Sequence, residues 1–231
     1  MKIVCFDKYF DKDAYALDNA TVSNGLVNSY SQYGEDLVID GILEHKNTGF
    51  YVDIGANDPS LLNNTRRFYN RGWSGINIEP NPILHKKLAE QRTRDINLNI
   101  GIGIDGGELP FYILSADTLS SFSYRDAKQN CKVFKERIVD TVNIPVQPII
   151  QIFEKYVGDK NIDFLSLDVE GFELDILKNN DWDKYRPKLI VIELHHHTRD
   201  LLTYLEKNNY NLVYKNSTNG IFFDATESLK L

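Results

Sequence analysis

The sequence predicts an α/β domain: a mostly parallel, doubly wound sheet closed by a C-terminal antiparallel hairpin. Three observations carry that expectation. From Phe50 onward, short β-rich runs alternate with stretches of helical periodicity, the pattern of parallel strands joined by crossover helices. The first run, Phe50–Ile54, stops at the small-residue pair Gly55-Ala56, a tight turn at a strand end. Near the end of the chain, Tyr210–Tyr214 and Gly220–Phe223 are separated only by Lys215-Asn216-Ser217-Thr218-Asn219, a hairpin-type connection.

Residues 1–48 form an N-terminal extension, irregular and then helical around Glu35–Glu44, and residues 49–231 form the main domain. Strands are expected at Phe50–Ile54, Ser74–Glu79, Asn97–Ile102, Ile162–Asp168 and Leu189–Glu193. The helices between them show buried stripes at three- and four-residue steps: Leu61, Thr65, Phe68 and Tyr69, then Leu84 and Leu88, then Ile149, Ile150, Phe153 and Val157. Leu201, Leu202 and Leu205 make the last stripe. An insertion at about 115–143 separates the third strand from its helix, and insertions of that length in a compact domain are often functional lids.

Composition narrows the partners. The 231 residues are 42% hydrophobic, enough for a sizeable core, and the formal charge of −7 offers no broad positive field to a polyanion. Nucleic acid is therefore a poor partner and a small-molecule or glycan acceptor a better one. Cys5 and Cys131 stand far apart, in neither a disulfide framework nor a zinc spacing. Charged residues through the first thirty positions exclude an apolar signal core, and no run approaches the roughly 20 apolar residues of a membrane span. A cytoplasmic location is expected.

The chemistry concentrates at the strand ends. In Asp53-Ile54-Gly55-Ala56-Asn57 the small residues let a ligand approach the backbone, and Asp53 can accept hydrogen bonds from the loop or from a ligand amine. One βα unit later Gly75-Ile76-Asn77-Ile78-Glu79 ends in an acid placed to hold a ribose diol. A dinucleotide turn needs three glycines, and after Gly55 the next glycine is Gly72. The pair Asp53 and Glu79 points to an adenosine-containing cofactor without a pyrophosphate.

Taken together, Ser31-Gln32-Tyr33-Gly34-Glu35-Asp36, Tyr51-Val52-Asp53-Ile54-Gly55-Ala56-Asn57, Gly72-Trp73-Ser74-Gly75-Ile76-Asn77-Ile78-Glu79-Pro80, Arg94-Asp95-Ile96-Asn97-Leu98 and Asp168-Val169-Glu170-Gly171-Phe172-Glu173 resemble the FkbM family of S-adenosylmethionine-dependent methyltransferases. The resemblance spans about Ser31 to Leu194. It implies a Rossmann-like class I methyltransferase fold, to which the terminal hairpin is fitted by analogy, and O-methylation of a hydroxyl on a sugar or glycan intermediate. It further implies that Gln32, Asp53, Gly55, Ala56, Asn57 and Asp168 line the cofactor and that Glu79 holds its ribose. Many members continue the first motif with glycine where this chain has Asp58-Pro59.

Methyl transfer to a hydroxyl requires alignment of the two reactants and an acceptor for the hydroxyl proton. Asp168, Glu170, Glu193 and His195 are the catalytic candidates at the correct sheet edge. Glu170 also fits the start of the next helix, where acids favour the backbone N–H groups. His196 and His197 read as surface residues, because adjacent residues on an extended segment diverge. Asp168 and Glu193 end neighbouring strands and form an oxygen pair suited to a divalent metal such as magnesium.

Within the insertion, Tyr124, Arg125, Lys128, Lys132, Lys135 and Arg137 make either a solvated helical face or a lid that recognises a sugar or its nucleotide diphosphate. Trp73 and Trp182 read as packing residues. Two rival functions remain in the sequence: an NAD(P)-dependent oxidoreductase of Rossmann type, which lacks its glycines here, and a non-catalytic glycan- or partner-binding module on the same fold.

Overall fold

The computed structural model describes residues 29–194 and 198–227. A seven-stranded sheet forms its centre, built from β1 (Phe50–Ile54), β2 (Ser74–Ile78), β3 (Ile96–Leu98), β7 (Phe164–Leu167), β8 (Leu189–Glu193), β9 (Tyr210–Lys215) and β10 (Asn219–Asp224). The spatial order is β3-β2-β1-β7-β8-β10-β9. The first five run parallel, and β10 pairs antiparallel with both β8 and β9. The order reverses between β1 and β7, where a doubly wound sheet opens a crevice at its carboxyl ends.

Helices cover both faces. Alternation along β1 sends Val52 and Ile54 to a core shared with α5 (Ile149–Ile152), the π-helical turn Phe153–Val157, α6 (Glu173–Lys178) and α7 (Thr198–Lys207). Tyr51 goes to the opposite core with Phe164, Val191 and residues of α1 (Glu35–Ile42) and α2 (Arg66–Arg71). There Phe68 lies 4.9 Å from Trp73 and 4.8 Å from Phe164, ring centre to ring centre, a tilted aromatic cluster. Burying such a ring stabilises the fold by roughly 1.5–3 kcal/mol.

The expected third strand divides. The run read as Asn97–Ile102 leaves the main sheet after Leu98, and its end becomes β4 (Gly101–Ile102) of a second sheet with β5 (Gly107–Leu114) and β6 (Ile138–Gln147). The side chain of Asn99 secures the exit by donating to the carbonyls of Glu79 and Pro80, each at 2.9 Å. β5 and β6 pair antiparallel and are joined through α4 (Tyr124–Phe134), so strands flank the insertion. These strands escape a sequence reading because Pro110 and Pro145 interrupt them and one face is open to solvent. A small core of Phe111, Ile113 and Ile144 holds the second sheet together.

No helix of the described residues is long and apolar enough to cross a membrane. Trp73 and Trp182 pack as expected: the indole N–H of Trp73 donates to the carbonyl of Lys46 at 3.1 Å, and that of Trp182 to the Tyr204 hydroxyl at 3.0 Å.

Candidate active site

At the carboxyl ends of the parallel strands lies a cavity of about 910 Å³, roofed by the second sheet and by α4. Gln32, Gly55, Asn57, Glu79, Asp168, Glu170 and Glu193 all line it. Asp53 and Ala56 do not. His195, with His196 and His197, lies outside the described residues.

One end of the cavity is made by the turns after β1 and β2. Gly55 adopts φ +79°, and its N–H and that of Ala56 both donate to the carbonyl of Ile78, at 3.0 and 3.1 Å. That turn aims the Asn57 N–H at Glu79, whose Oε2 accepts it at 2.7 Å while Oε1 accepts the Asn81 N–H at 2.7 Å. The carboxylate is therefore held in one orientation. Burial pushes Glu79 up to about 7 even against these two donors, which favour its ionised form. Asn81 also caps α3 (Pro82–Gln91), accepting from Ile83 N at 3.0 Å with Pro82 in the first helical turn, a helix-start signature visible in the sequence.

Asp53 faces the other way. It shares Tyr51's side of β1, where it accepts a hydrogen bond from the Thr65 hydroxyl at 3.0 Å beneath the loop, and it is not among the residues that line the cavity. Burial pushes it up to about 6, opposed by that hydrogen bond and by the Arg92 charge. Arg92 is fully buried and donates to Asn63 Oδ1 at 2.6 Å and to the Pro59 carbonyl at 3.1 Å. Asn63 in turn donates to the carbonyls of Ala56 and Asp58, each at 3.1 Å. The loop that presents Asn57 thus rests on Arg92 and Asn63, which no motif in the sequence marks.

The N-terminal motif closes one side. Gln32 and Tyr33 line the cavity, and Glu35 beneath them accepts from Tyr33 N at 2.8 Å and from the side chains of Asn216 and Asn219, both at 2.7 Å. Asp36 accepts from Tyr30 N and from Arg67 Nε, both at 3.0 Å.

The three acids at the opposite end come together. One carboxylate oxygen from each of Asp168, Glu170 and Glu193 lies within 4.8 Å of the others. Glu170 has φ +55°, a backbone conformation uncommon for a side chain of its size and characteristic of functional turns. It does not satisfy the α6 terminus. Glu173, the first residue of α6, instead accepts on Oε1 from two groups of the preceding loop, Val169 N at 3.1 Å and Gly171 N at 3.0 Å, while Glu170 lines the cavity.

Asp168 lines the cavity with an exposed side chain, and the protein close around its carboxyl, together with the charges of Glu193 and Glu173, holds that carboxyl well above the usual range. Burial and then the Asp168 charge push Glu170 up to about 8, and burial and then the Glu170 charge push Glu193 up to about 8. Carboxyls that titrate near neutrality inside a cleft are equipped to exchange protons.

The basic residues of α4 stay outside. Within the insertion, residues 117–122 and, from α4, Asn130 and Phe134 reach the cavity, whereas Arg125, Lys128, Lys132, Lys135 and Arg137 do not, and Lys128 lies 5.4 Å from the Tyr124 ring on the helix surface. A solvated face accounts for them.

A mostly parallel α/β sheet with an acid-lined cleft beyond its carboxyl ends is an architecture that methyltransferases use. The family model described as the methyltransferase FkbM domain matches residues 53–212, well over half of the chain, and the protein belongs to that family. No curated protein matches it significantly.

Proposed function

We propose that the protein is an S-adenosylmethionine-dependent O-methyltransferase of the class I fold that forms a methyl ether on a hydroxyl of a sugar or glycan intermediate. The observation that carries this reading is Glu79, clamped by Asn57 N and Asn81 N at the end of β2 inside a cavity that no described cation lines. Each carboxylate oxygen spends one lone pair on the backbone and keeps another for a ribose hydroxyl. The cavity's acids suit a ligand bearing sulfonium and ammonium charges, and they oppose the diphosphate of a nicotinamide dinucleotide, which disfavours the oxidoreductase reading.

In this reading Gly55, Asn57 and Glu79, with Gln32 at the rim, hold the cofactor, and Asp53 positions the loop from beneath. S-adenosylmethionine, when bound, would supply an electrophilic methyl group for transfer to the acceptor oxygen. Asp168 shapes the transfer end of the pocket, and Glu170 or Glu193 takes the hydroxyl proton. His195 stands as a further candidate from the sequence. The Asp168 and Glu193 pair, joined by Glu170, is also an all-oxygen donor set of the kind magnesium accepts, and an ion there would bind the acceptor hydroxyl and acidify it.

Incubation with methyl-labelled cofactor and a panel of glycans, read by mass spectrometry, tests the reaction. A mass gain of one methyl on an acceptor hydroxyl supports it. Cofactor binding with no transfer to any glycan would favour the non-catalytic module instead.

A further inference from the structure

The mouth of the cavity carries information about the acceptor that the family assignment does not. Of the large hydrophobic side chains left exposed on the described surface, five line this one cavity: Leu62, Ile104, Leu109, Phe134 and Phe172, each at least 40% exposed. They come from the loops after β1, β4 and β7 and from β5 and α4, so the fold gathers them from distant parts of the chain. Single exposed apolar residues need no explanation, but a convergent set at the rim of a polar cleft marks a surface that a ligand covers.

Charge supplies a second, independent constraint. Among the described residues, eight aspartates and glutamates line the cavity, and no lysine, arginine or histidine does. Phosphate and carboxylate groups are bound by cationic side chains, by helix N-termini or by glycine-rich nests, because an unpaired anion near carboxylates is repelled from both sides. In the sequence alternative of a lid that grips a nucleotide diphosphate, neither Arg125 nor any of its basic neighbours lines the cavity, and the glycines that do, Gly101, Gly103, Gly106 and Gly107, stand beside Asp105 and Glu108.

We infer that the acceptor hydroxyl is presented on a molecule that bears an apolar body and no phosphate or carboxylate, the body lying against Leu109, Phe134 and Phe172 while the hydroxyl reaches Asp168, Glu170 and Glu193. This rests on the reading of the cleft as a methyl-transfer site. For a sugar acceptor, it means a glycoside with a hydrophobic aglycone rather than a sugar phosphate or nucleotide sugar. A buried methylene contributes about fourfold in affinity, so a chain of several carbons covering the rim gives an easily measured preference.

The test is calorimetric titration of the full chain, first with S-adenosylhomocysteine and then, in its presence, with methyl glucoside, octyl glucoside below its micelle concentration, glucose and glucose 1-phosphate. Octyl glucoside is expected to bind at least tenfold tighter than methyl glucoside. Most of that gain is lost in Leu109→Ser/Phe134→Ser and kept in Val139→Ser, whose exposed side chain lies away from the cavity. Equal affinity for the two glucosides, absence of glycoside binding, an undiminished gain in the double variant, or glucose 1-phosphate binding tighter than glucose would each overturn the inference. The first titration separates this from the parent reading: failure of S-adenosylhomocysteine to bind removes the cofactor assignment, and an octyl preference can stand or fall independently of it.

Discussion

Gly55 packs against the backbone of Asp168, so closely that a Cβ on Gly55 would overlap the Asp168 carbonyl oxygen. The contact joins the end of β1 to the end of β7, where Asp168 N also donates to the Ile54 carbonyl at 3.1 Å. It brings the Gly55 turn and the acid cluster to one point of the sheet. Gly55→Ala is therefore expected to destabilise the fold by at least about 2 kcal/mol, through a left-handed φ and a steric overlap together. Gly72 gives the control, because its φ is +106° but nothing lies within 4 Å of the added carbon, and Gly72→Ala is expected to cost about 1 kcal/mol. Urea denaturation of both variants checks the difference, and equal costs would show that the β1–β7 contact carries no special weight.

Arg92 braces the loop from the far side of the sheet. Replacing it with Met keeps much of the stem but takes the Arg92 donor from the Pro59 carbonyl and leaves Asn63 Oδ1 to the Thr65 donors alone, in a region where Asp53 and Asp95 are also buried. Loss of about 3–5 kcal/mol is expected, the range for removing one partner of a buried charged network. A loss below about 1 kcal/mol in denaturant titration would show that the loop holds itself.

The buried acids make stability depend on pH in an unusual direction. Asp53 near 6, Glu79 near 7, and Glu170 and Glu193 near 8 all lie above the roughly 4 of an unfolded carboxyl. Between those values the folded protein binds more protons than the unfolded chain, so the stability these groups contribute is greatest at and below about pH 4 and falls as pH rises towards 8, by at most about 1.4 kcal/mol per unit for each group. Melting curves of the ligand-free protein are expected to show a Tm lower at pH 8 than at pH 5. Glu193→Gln, which removes one of these groups, should flatten the profile and raise Tm at pH 8. A Tm that climbs over this range would contradict the burial of these carboxyls.

The same acids set an expectation for the rate. A proton acceptor must be ionised, so kcat/KM should rise close to tenfold per unit below pH 8 and level off above it, with apparent values that belong to the three-acid cluster as a unit. Glu170→Gln and Glu193→Gln are expected to lower kcat by roughly 10²–10⁴-fold while S-adenosylhomocysteine still binds. A rate independent of pH from 6 to 8 would remove the cluster from proton transfer.

The parallel strands were legible because a strand buried on both faces reads as an unbroken apolar run, as in Phe50–Ile54 and Leu189–Glu193. Asp53 and Glu79 were found from their places at strand ends, but strand parity separates their roles: Asp53 shares the face of Tyr51, and Glu79 follows the strand into the cleft. The second sheet was hidden by Pro110, Pro145 and a solvated face. Glu173 and Arg92 were hidden for another reason, since both act through partners distant in space or set by a turn, and no spacing records such contacts. The apolar rim is likewise a property of convergence, its residues being scattered from Leu62 to Phe172.

The central claim is that Glu79 holds the ribose of an adenosyl cofactor, and titration calorimetry with S-adenosylhomocysteine tests it most directly. The account expects one ligand per chain at micromolar affinity, weakened at least tenfold in Glu79→Ala with the fold retained. Absence of heat at high micromolar ligand, or equal affinity in the variant, would contradict it.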